Sequence, residues 1–400
     1  MNNNQNQPKQ YDAVLGGNAP PPIHGAVLGG VEGVKKRLAN SNVDVQIAAL
    51  NDALNYGDVG LDLVIDALEH ESTEINNFAA KILKRSENKR GKKALLENHP
   101  KLYFTRVEDW KQEYYDPKFG IQNPLVKAYV VNHKNFYQLL ENSNLNQIEA
   151  LIYEIELNFQ DFKNPYKRPF YDFVNAISQN NDKLINLKAI YIGRELLEGP
   201  YGFKHYISNS YIKLGYLNPL LKAYPHLEVL QVYGRQGLRI QPLQHNFLKT
   251  LRIQTELMCK YSAIPNICKL DLPALEYLEL WFGGSSNDER DIVEKELSPI
   301  LTGELLPNLK YLGLCGSRDS YNLVLFLIKF PTAIEQLSIL DLSGGNLSDR
   351  GAEILLHFPA INKLSVLKLT MNDLSEEMIK KLYKLECEVI AEPQDLLLGF

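Results

Sequence analysis

The sequence predicts an α/β solenoid, with parallel strands in one concave sheet and helices on the convex side, preceded by a small all-α module. Three observations carry this. Leucine-like residues fall seven times in a Leu-x-x-Leu-x-Leu pattern in the C-terminal half. Apolar residues between 31 and 98 recur at spacings of three and four. An aromatic-rich stretch, 99–145, separates the two patterns.

Residues 1–30 are rich in Asn, Gly and Pro, and the phrase Ala-Val-Leu-Gly-Gly occurs at 13–17 and again at 26–30. Such a segment buries little on its own and reads as a flexible arm. From 31 to 98, Val43, Ile47, Leu50 and Leu54 mark one amphipathic helix. Leu61, Val64, Ile65 and Leu68 mark a second, and Ile75, Ala79, Ile82 and Leu83 a third. Asn40-Ser41-Asn42, Tyr56-Gly57-Asp58 and Glu71-Ser72-Thr73 supply caps and turns between them. Short antiparallel helices of this kind are HEAT-like. The junction, 99–145, holds Trp110, Tyr114, Tyr115 and Phe119 and is suited to capping the apolar end of a solenoid. A helix is expected over 136–147 and a first strand over Leu151–Leu157.

The ladder occupies 146–392, with a short tail at 393–400. Its middle apolar positions are Ile190, Leu230, Leu251, Leu278, Leu312, Leu340 and Leu367, at steps of 40, 21, 27, 34, 28 and 27 residues. Leu275-Glu276-Tyr277-Leu278-Glu279-Leu280 is the clearest copy. This is the strand signature of leucine-rich repeats, and steps of 27–28 leave room for a strand, a helix and two turns. Helices are expected over 292–301, 323–328 and 351–358, the last capped by Ser348-Asp349, and one more opens at Glu376-Glu377. The 21-residue step leaves no room for a full helix, and the 34-residue step carries an insertion around 283–288.

Two resemblances follow from particular phrases. GGVEGVKKRL and IAALNDALNYGDVGLDLVIDAL make 26–96 similar to an N-terminal helical module of cyanobacterial multidomain proteins, which implies an adaptor. YDPKFGIQNPLVKAY, LPALEYLELWFGG and LSDRGAEILL make about 115–392 resemble an uncharacterised bacterial leucine-rich-repeat protein family. That resemblance implies the ribonuclease-inhibitor-like horseshoe and supplies no catalytic residue.

Side chains alternate between the two faces of a strand, so the non-leucine positions point to the concave face. The candidate partner-binding residues are therefore Tyr191, Tyr233, Arg252, Tyr277, Glu279, Trp281, Tyr311, Asp341 and Lys368. Tyr233, Tyr277, Trp281 and Tyr311 are expected to form one continuous aromatic patch, a composition enriched at binding hot spots. The plainer reading is that these rings pack on one another. The mixed charges beside them favour a protein or peptide partner over a phosphate backbone.

The rest narrows the function class. The chain has a net charge of −5, yet 80–93 carries seven cations against Glu87. That run, with 81–93 as its basic core, reads either as a nucleic-acid or anionic-surface contact or as a solvated helix end. The plainer reading is favoured because no aromatics interleave there. Four scattered cysteines suit a reducing compartment, and neither a signal core nor a run of 18 apolar residues is present, so a cytoplasmic location is expected. Eight dispersed histidines form no metal motif, and no nucleophile elbow, phosphate loop or dinucleotide fingerprint occurs. The expectation is a non-enzymatic scaffold without cofactor or metal. The alternative is a HEAT-type accessory protein, chaperone- or lyase-like, for cyanobacterial antenna proteins.

Overall fold

The computed structural model describes residues 30–86, 88–155, 168–193, 213–234, 237–255, 263–282, 297–302 and 305–394. Most of the N-terminal arm, the insertion at 283–296, Cys259 and the tail from 395 onward lie outside them. The chain divides into two compact units, Met1–Phe104 and Thr105–Phe400.

The described part of the first unit is helical: α1 Gly30–Leu38, α2 Val43–Ala53, α3 Gly57–Asp66, α4 Thr73–Arg85, α5 Lys89–Asn98 and α6 Pro100–Tyr103. Asn42 caps α2 by accepting from the Asp44 amide, and Asn88 caps α5 by accepting from the Gly91 amide. Leu50, Leu61, Val64, Leu68, Ile75, Ala79 and Leu83 meet in one core, as their spacing predicts. Leu54 does not join it. It sits in a 3-10 turn, Leu54–Tyr56, and is 38% exposed. The core takes Gln46 instead, whose Nε2 donates to the Leu38 carbonyl at 2.8 Å.

Among the described residues, the second unit carries an eleven-stranded parallel sheet whose strands follow sequence order. They are β1 Gln112–Tyr114, β2 Ala128–Asn132, β3 Ala150–Glu154, β4 Ala189–Ile192, β5 Val229–Gly234, β6 Thr250–Thr255, β7 Tyr277–Phe282, β8 Tyr311–Cys315, β9 Ile339–Asp341, β10 Val366–Lys368 and β11 Glu388–Ile390. The seven middle positions read from the sequence pair in register, Ile190 with Leu230, then Leu251, Leu278, Leu312, Leu340 and Leu367. Sheet formation begins earlier than the leucines indicate. β1 and β2 lie within the stretch read as a junction, and the strand expected to be first is β3.

Helices return the chain between strands: α7 Phe136–Leu140, α8 Pro169–Gln179, α9 Asn218–Ala223, α10 Ala263–Ile267, α11 Ser298–Leu301, α12 Ser320–Leu327, α13 Pro331–Glu335, α14 Asp349–Leu356 and α15 Glu376–Leu382. Their apolar faces and the leucine face of the sheet form one core. At its β3 end the Tyr153 and Phe173 rings stack at 4.1 Å. The 21-residue step, over 237–249, holds no helix. Helix α14 has no side-chain cap from Ser348. Its Asp349 instead accepts from both the amide and the hydroxyl of Ser375, which in turn caps α15.

Ahead of the strands runs a second ladder. Glu149, Lys188, Glu228, Lys249, Glu276 and Lys310 hold equivalent positions, each amide donating to the carbonyl of the one before it from Lys188 onward. Their signs alternate, and Lys249 pairs with Glu228 at 2.7 Å. From Glu149 to Lys310 each position thus meets an opposite charge in the next, before Ser338 and Ser365 take over the ladder, and each half-exposed pair contributes about 1 kcal/mol or less.

His245 closes the helix-free repeat. It is 3% exposed, accepts at Nδ1 from the Leu248 amide and donates from Nε2 to the Tyr224 carbonyl. Burial, outweighing the bond to the Tyr224 carbonyl, holds its pKa below the ordinary 6.5. The unfolded chain therefore binds a proton that the folded chain refuses. The stabilisation is full above about pH 6.5 and is lost as pH falls below it. The urea midpoint is expected to drop between pH 7.5 and pH 5.5, and to drop less in His245→Gln. Equal slopes for the two proteins contradict this assignment.

Candidate functional site

Strand alternation leaves a second face, turned away from the helices, and the register arranges it in rows across the strands. One row runs Val130, Ile152, Tyr191, Gln231, Arg252, Glu279, Gly313, Asp341 and Lys368. It is apolar over β2–β4 and charged from β6 onward.

The apolar half is already occupied. Residues 105–110, which lead into β1, lie on it. Val107 and Trp110 form a cluster with Ala128, Val130, Ala150, Ile152, Ala189, Tyr191, Val229 and Tyr233. The segment is also bonded down. The Val107 amide donates to Gln231 Oε1 at 2.9 Å, and the Thr250 hydroxyl donates to the Thr105 carbonyl at 2.6 Å. Trp110 Nε1 donates to Glu149 at 3.2 Å. Alanines at 128, 150 and 189 keep this part of the face low, which suits a large indole. Tyr191 and Tyr233, read from the sequence as partner-binding, are 8% and 5% exposed in this cluster.

The charged half forms a network. Glu279 Oε1 accepts from Arg252 Nε at 2.8 Å and from Trp281 Nε1 at 2.6 Å, and Oε2 accepts from the Tyr277 hydroxyl. Asp341 Oδ1 accepts from the Ser343 amide at 3.0 Å, and Oδ2 accepts from the Tyr311 hydroxyl at 2.6 Å and from Lys368. The Tyr277 and Tyr311 rings stack at 3.9 Å and join the two halves of the network over Gly313. A Cβ at Gly313 would lie 2.9 Å from Glu279 Cγ and 3.1 Å from the Tyr311 ring, so only glycine leaves room for both. Gly344, at φ +73°, sits beneath the Trp281 ring, 2.8 Å from its Cζ3 to the Cβ that glycine omits.

Two cations balance two carboxylates. Burial works against the charge on Asp341, but the Lys368 ammonium and the bonds from Lys368, Ser343 and Tyr311 outweigh it and hold that carboxyl below its ordinary pKa. Burial likewise opposes charge on Arg252 and Lys368, and Glu279 and Asp341 respectively reverse it, so both pKa values are raised. Burial first, followed by Glu279 for Tyr277 and by Tyr277 and then Asp341 for Tyr311, pushes both phenols well above their usual value. Cys315 is buried on the same face, and burial followed by the Asp341 charge keeps it a thiol.

The structure therefore brings Arg252, Tyr277, Glu279, Trp281, Tyr311, Asp341 and Lys368 together, whereas Tyr191 and Tyr233 pack in the Trp110 cluster, Tyr191 still near enough to Arg252 to help raise its pKa. The aromatic patch is not continuous, because Gln254 stands in register between Tyr233 and Trp281. Tyr277, Glu279, Tyr311 and Asp341 are buried, whereas Arg252, Gln254, Trp281 and Lys368 are half-buried and form a rim. In the basic run, Arg90 pairs with Asp62, Lys93 with Glu97, and Lys84 donates to the Phe104 carbonyl. Strand alternation places Gln231 on this face but does not reveal its bond to the Val107 amide, and sequence reasoning passed over Asn372. Asn372 bonds the Leu347 amide and the Leu342 and Leu369 carbonyls, and its place three residues after Leu369 is the asparagine position of the repeat. Among the described residues, no group of three or more His, Cys, Asp or Glu is placed to hold a metal ion, and no helix is long and apolar enough to cross a membrane.

No family model matches the chain, and no curated protein matches it. Solved structures do. A Bacteroides fragilis protein shares 24% identity over 68% of this chain and 74% of its own, with a TM-score of 0.55. That likeness establishes the fold alone. An internalin of Listeria monocytogenes matches at 14% identity, over 79% of this chain and 95% of its own, with a TM-score of 0.30. TLR13 in complex with a single-stranded RNA matches at 14% identity, over 67% of this chain and 39% of its own, with a TM-score of 0.34. Scores this low carry no argument about function. The fold assignment rests on the parallel ladder and its leucine core.

Proposed function

We propose that this protein is a non-enzymatic interaction scaffold that takes a protein or peptide partner at the Arg252, Gln254, Trp281 and Lys368 rim. The carrying observation is the charge-balanced network beneath that rim. It fixes an indole, a guanidinium and an ammonium on rigid strands before any partner arrives, and preorganisation lowers the cost of binding. Both carboxylates are saturated by donors from the chain itself, which suits a platform better than a general base. The buried cysteines Cys268, Cys315 and Cys387, which are not disulfide-bonded, fit a reducing, cytoplasmic setting. We read the helical first unit as a HEAT-like adaptor.

Trp281→Ala is expected to abolish capture of a partner that wild type retains, with a lowered unfolding midpoint because Glu279 loses a donor, but with unfolding still cooperative. Gln254→Ala is expected to weaken the same capture. Quantitative affinity capture with both proteins checked for folding reads this out. Undiminished retention by Trp281→Ala rejects the rim as the site.

A further inference from the structure

A groove of about 660 Å³ lies on the helix side of the second unit, between α12 and α14. Ile328, Ile354 and Phe358 make its apolar floor, and all three are only partly buried against the core. Arg350 and Tyr321 stand at one end, the guanidinium 4.5 Å from the ring centroid. Arg350 is exposed, and no carboxylate of the described residues pairs with it. Glu353 is different: His357 lies 3.3 Å from it and Lys381 3.6 Å. The groove thus offers one uncompensated cation and an apolar strip.

The spacing of these groups is informative. Arg350, Ile354 and Phe358 follow one another at four-residue intervals along α14 and just beyond it. A helix rises about 1.5 Å per residue, so Arg350 and Ile354 stand about 6 Å apart along the groove, and Phe358, two residues past the end of α14, continues the line by roughly one more such step. In an extended peptide, residues i, i+2 and i+4 share a face at about 6.6 Å and about 13 Å. The two repeats nearly coincide. We propose that this groove docks an extended peptide segment with an acidic residue at i and bulky apolar residues at i+2 and i+4. The carboxylate forks onto Arg350, held in place by Tyr321, and the apolar side chains rest on Ile354 and Phe358. The groove is shallow and keeps one side in water. That suits a stretch of chain, whereas a small molecule needs most of its surface covered.

The test uses a fluorescein-labelled peptide, acetyl-Ser-Asp-Ser-Leu-Ser-Phe-Ser-amide, titrated with the full-length chain. Saturable binding is expected, about tenfold weaker for Arg350→Glu, the loss of one charge-assisted contact. A peptide with Lys in place of Asp is expected to prefer Arg350→Glu over wild type. Moving Leu and Phe to i+1 and i+3 is expected to weaken binding to wild type. Trp281→Ala is expected to bind the peptide as wild type does, so this site and the rim fail or stand separately. No saturation at millimolar protein, or equal affinity of wild type and Arg350→Glu for both peptides, overturns the proposal.

Discussion

Trp110→Ala is expected to lower the stability of the second unit by about 3–5 kcal/mol, the cost of removing a buried large aromatic. Trp110 belongs to no repeat, yet it is 8% exposed and packs with residues from β2, β3, β4 and β5. Removing it opens a cavity above three alanines that cannot refill it, and leaves Glu149 with one donor fewer. Trp110→Phe keeps most of the apolar area and loses only the indole bond, so about 1 kcal/mol is expected. Amide hydrogen exchange gives the sharper reading. The Val107 amide, bonded to Gln231, is expected to lose protection in Trp110→Ala while the β8–β10 amides keep theirs. Unchanged denaturation and unchanged exchange at Val107 contradict the assignment of 105–110 to this face.

Asp341→Ala is expected to cost a similar amount, about 3–5 kcal/mol, by a different mechanism. The carboxylate is 4% exposed and receives the Tyr311 hydroxyl, the Ser343 amide and Lys368. Its loss strands three donors, one of them a charge, in a poorly solvated site. The companion variant Asp341→Ala with Lys368→Met removes the stranded charge and is expected to recover part of the loss. Because Asp341 is held below its ordinary pKa, its stabilisation is full above about pH 3.8 and is lost as pH falls through the folded value. Midpoints for the single and double variants that do not differ would show the network to be energetically slack.

The leucine ladder was legible because its core positions repeat with few exceptions, and every middle residue from Ile190 to Leu367 pairs as spaced. The first repeats were not, since β2 fills the three leucine positions with Val126, Tyr129 and Val131. Their size and shape suffice for the core, but the letter pattern disappears. Alternation correctly put Arg252, Glu279, Asp341 and Lys368 on one face. It did not show that they neutralise one another, which depends on register: cation, anion, glycine, anion, cation. Nor did any local signal mark 105–110 as a segment lying on the sheet, because its partners, Gln231 and Thr250, stand more than a hundred residues away. Long-range closure of that kind is written in no window of the sequence. The alternating Glu149-to-Lys310 ladder was visible in principle as a charge one residue before each strand core, and its meaning appears only once the strands are stacked.

The central claim is that the rim over the Glu279–Asp341 network receives a partner. It is tested most directly by quantitative affinity capture from the source organism's lysate, comparing wild type, Trp281→Ala and Arg350→Glu, with each protein first shown to unfold cooperatively. The account predicts at least one protein that wild type and Arg350→Glu retain and Trp281→Ala loses. A set of captured proteins identical for wild type and Trp281→Ala would contradict it.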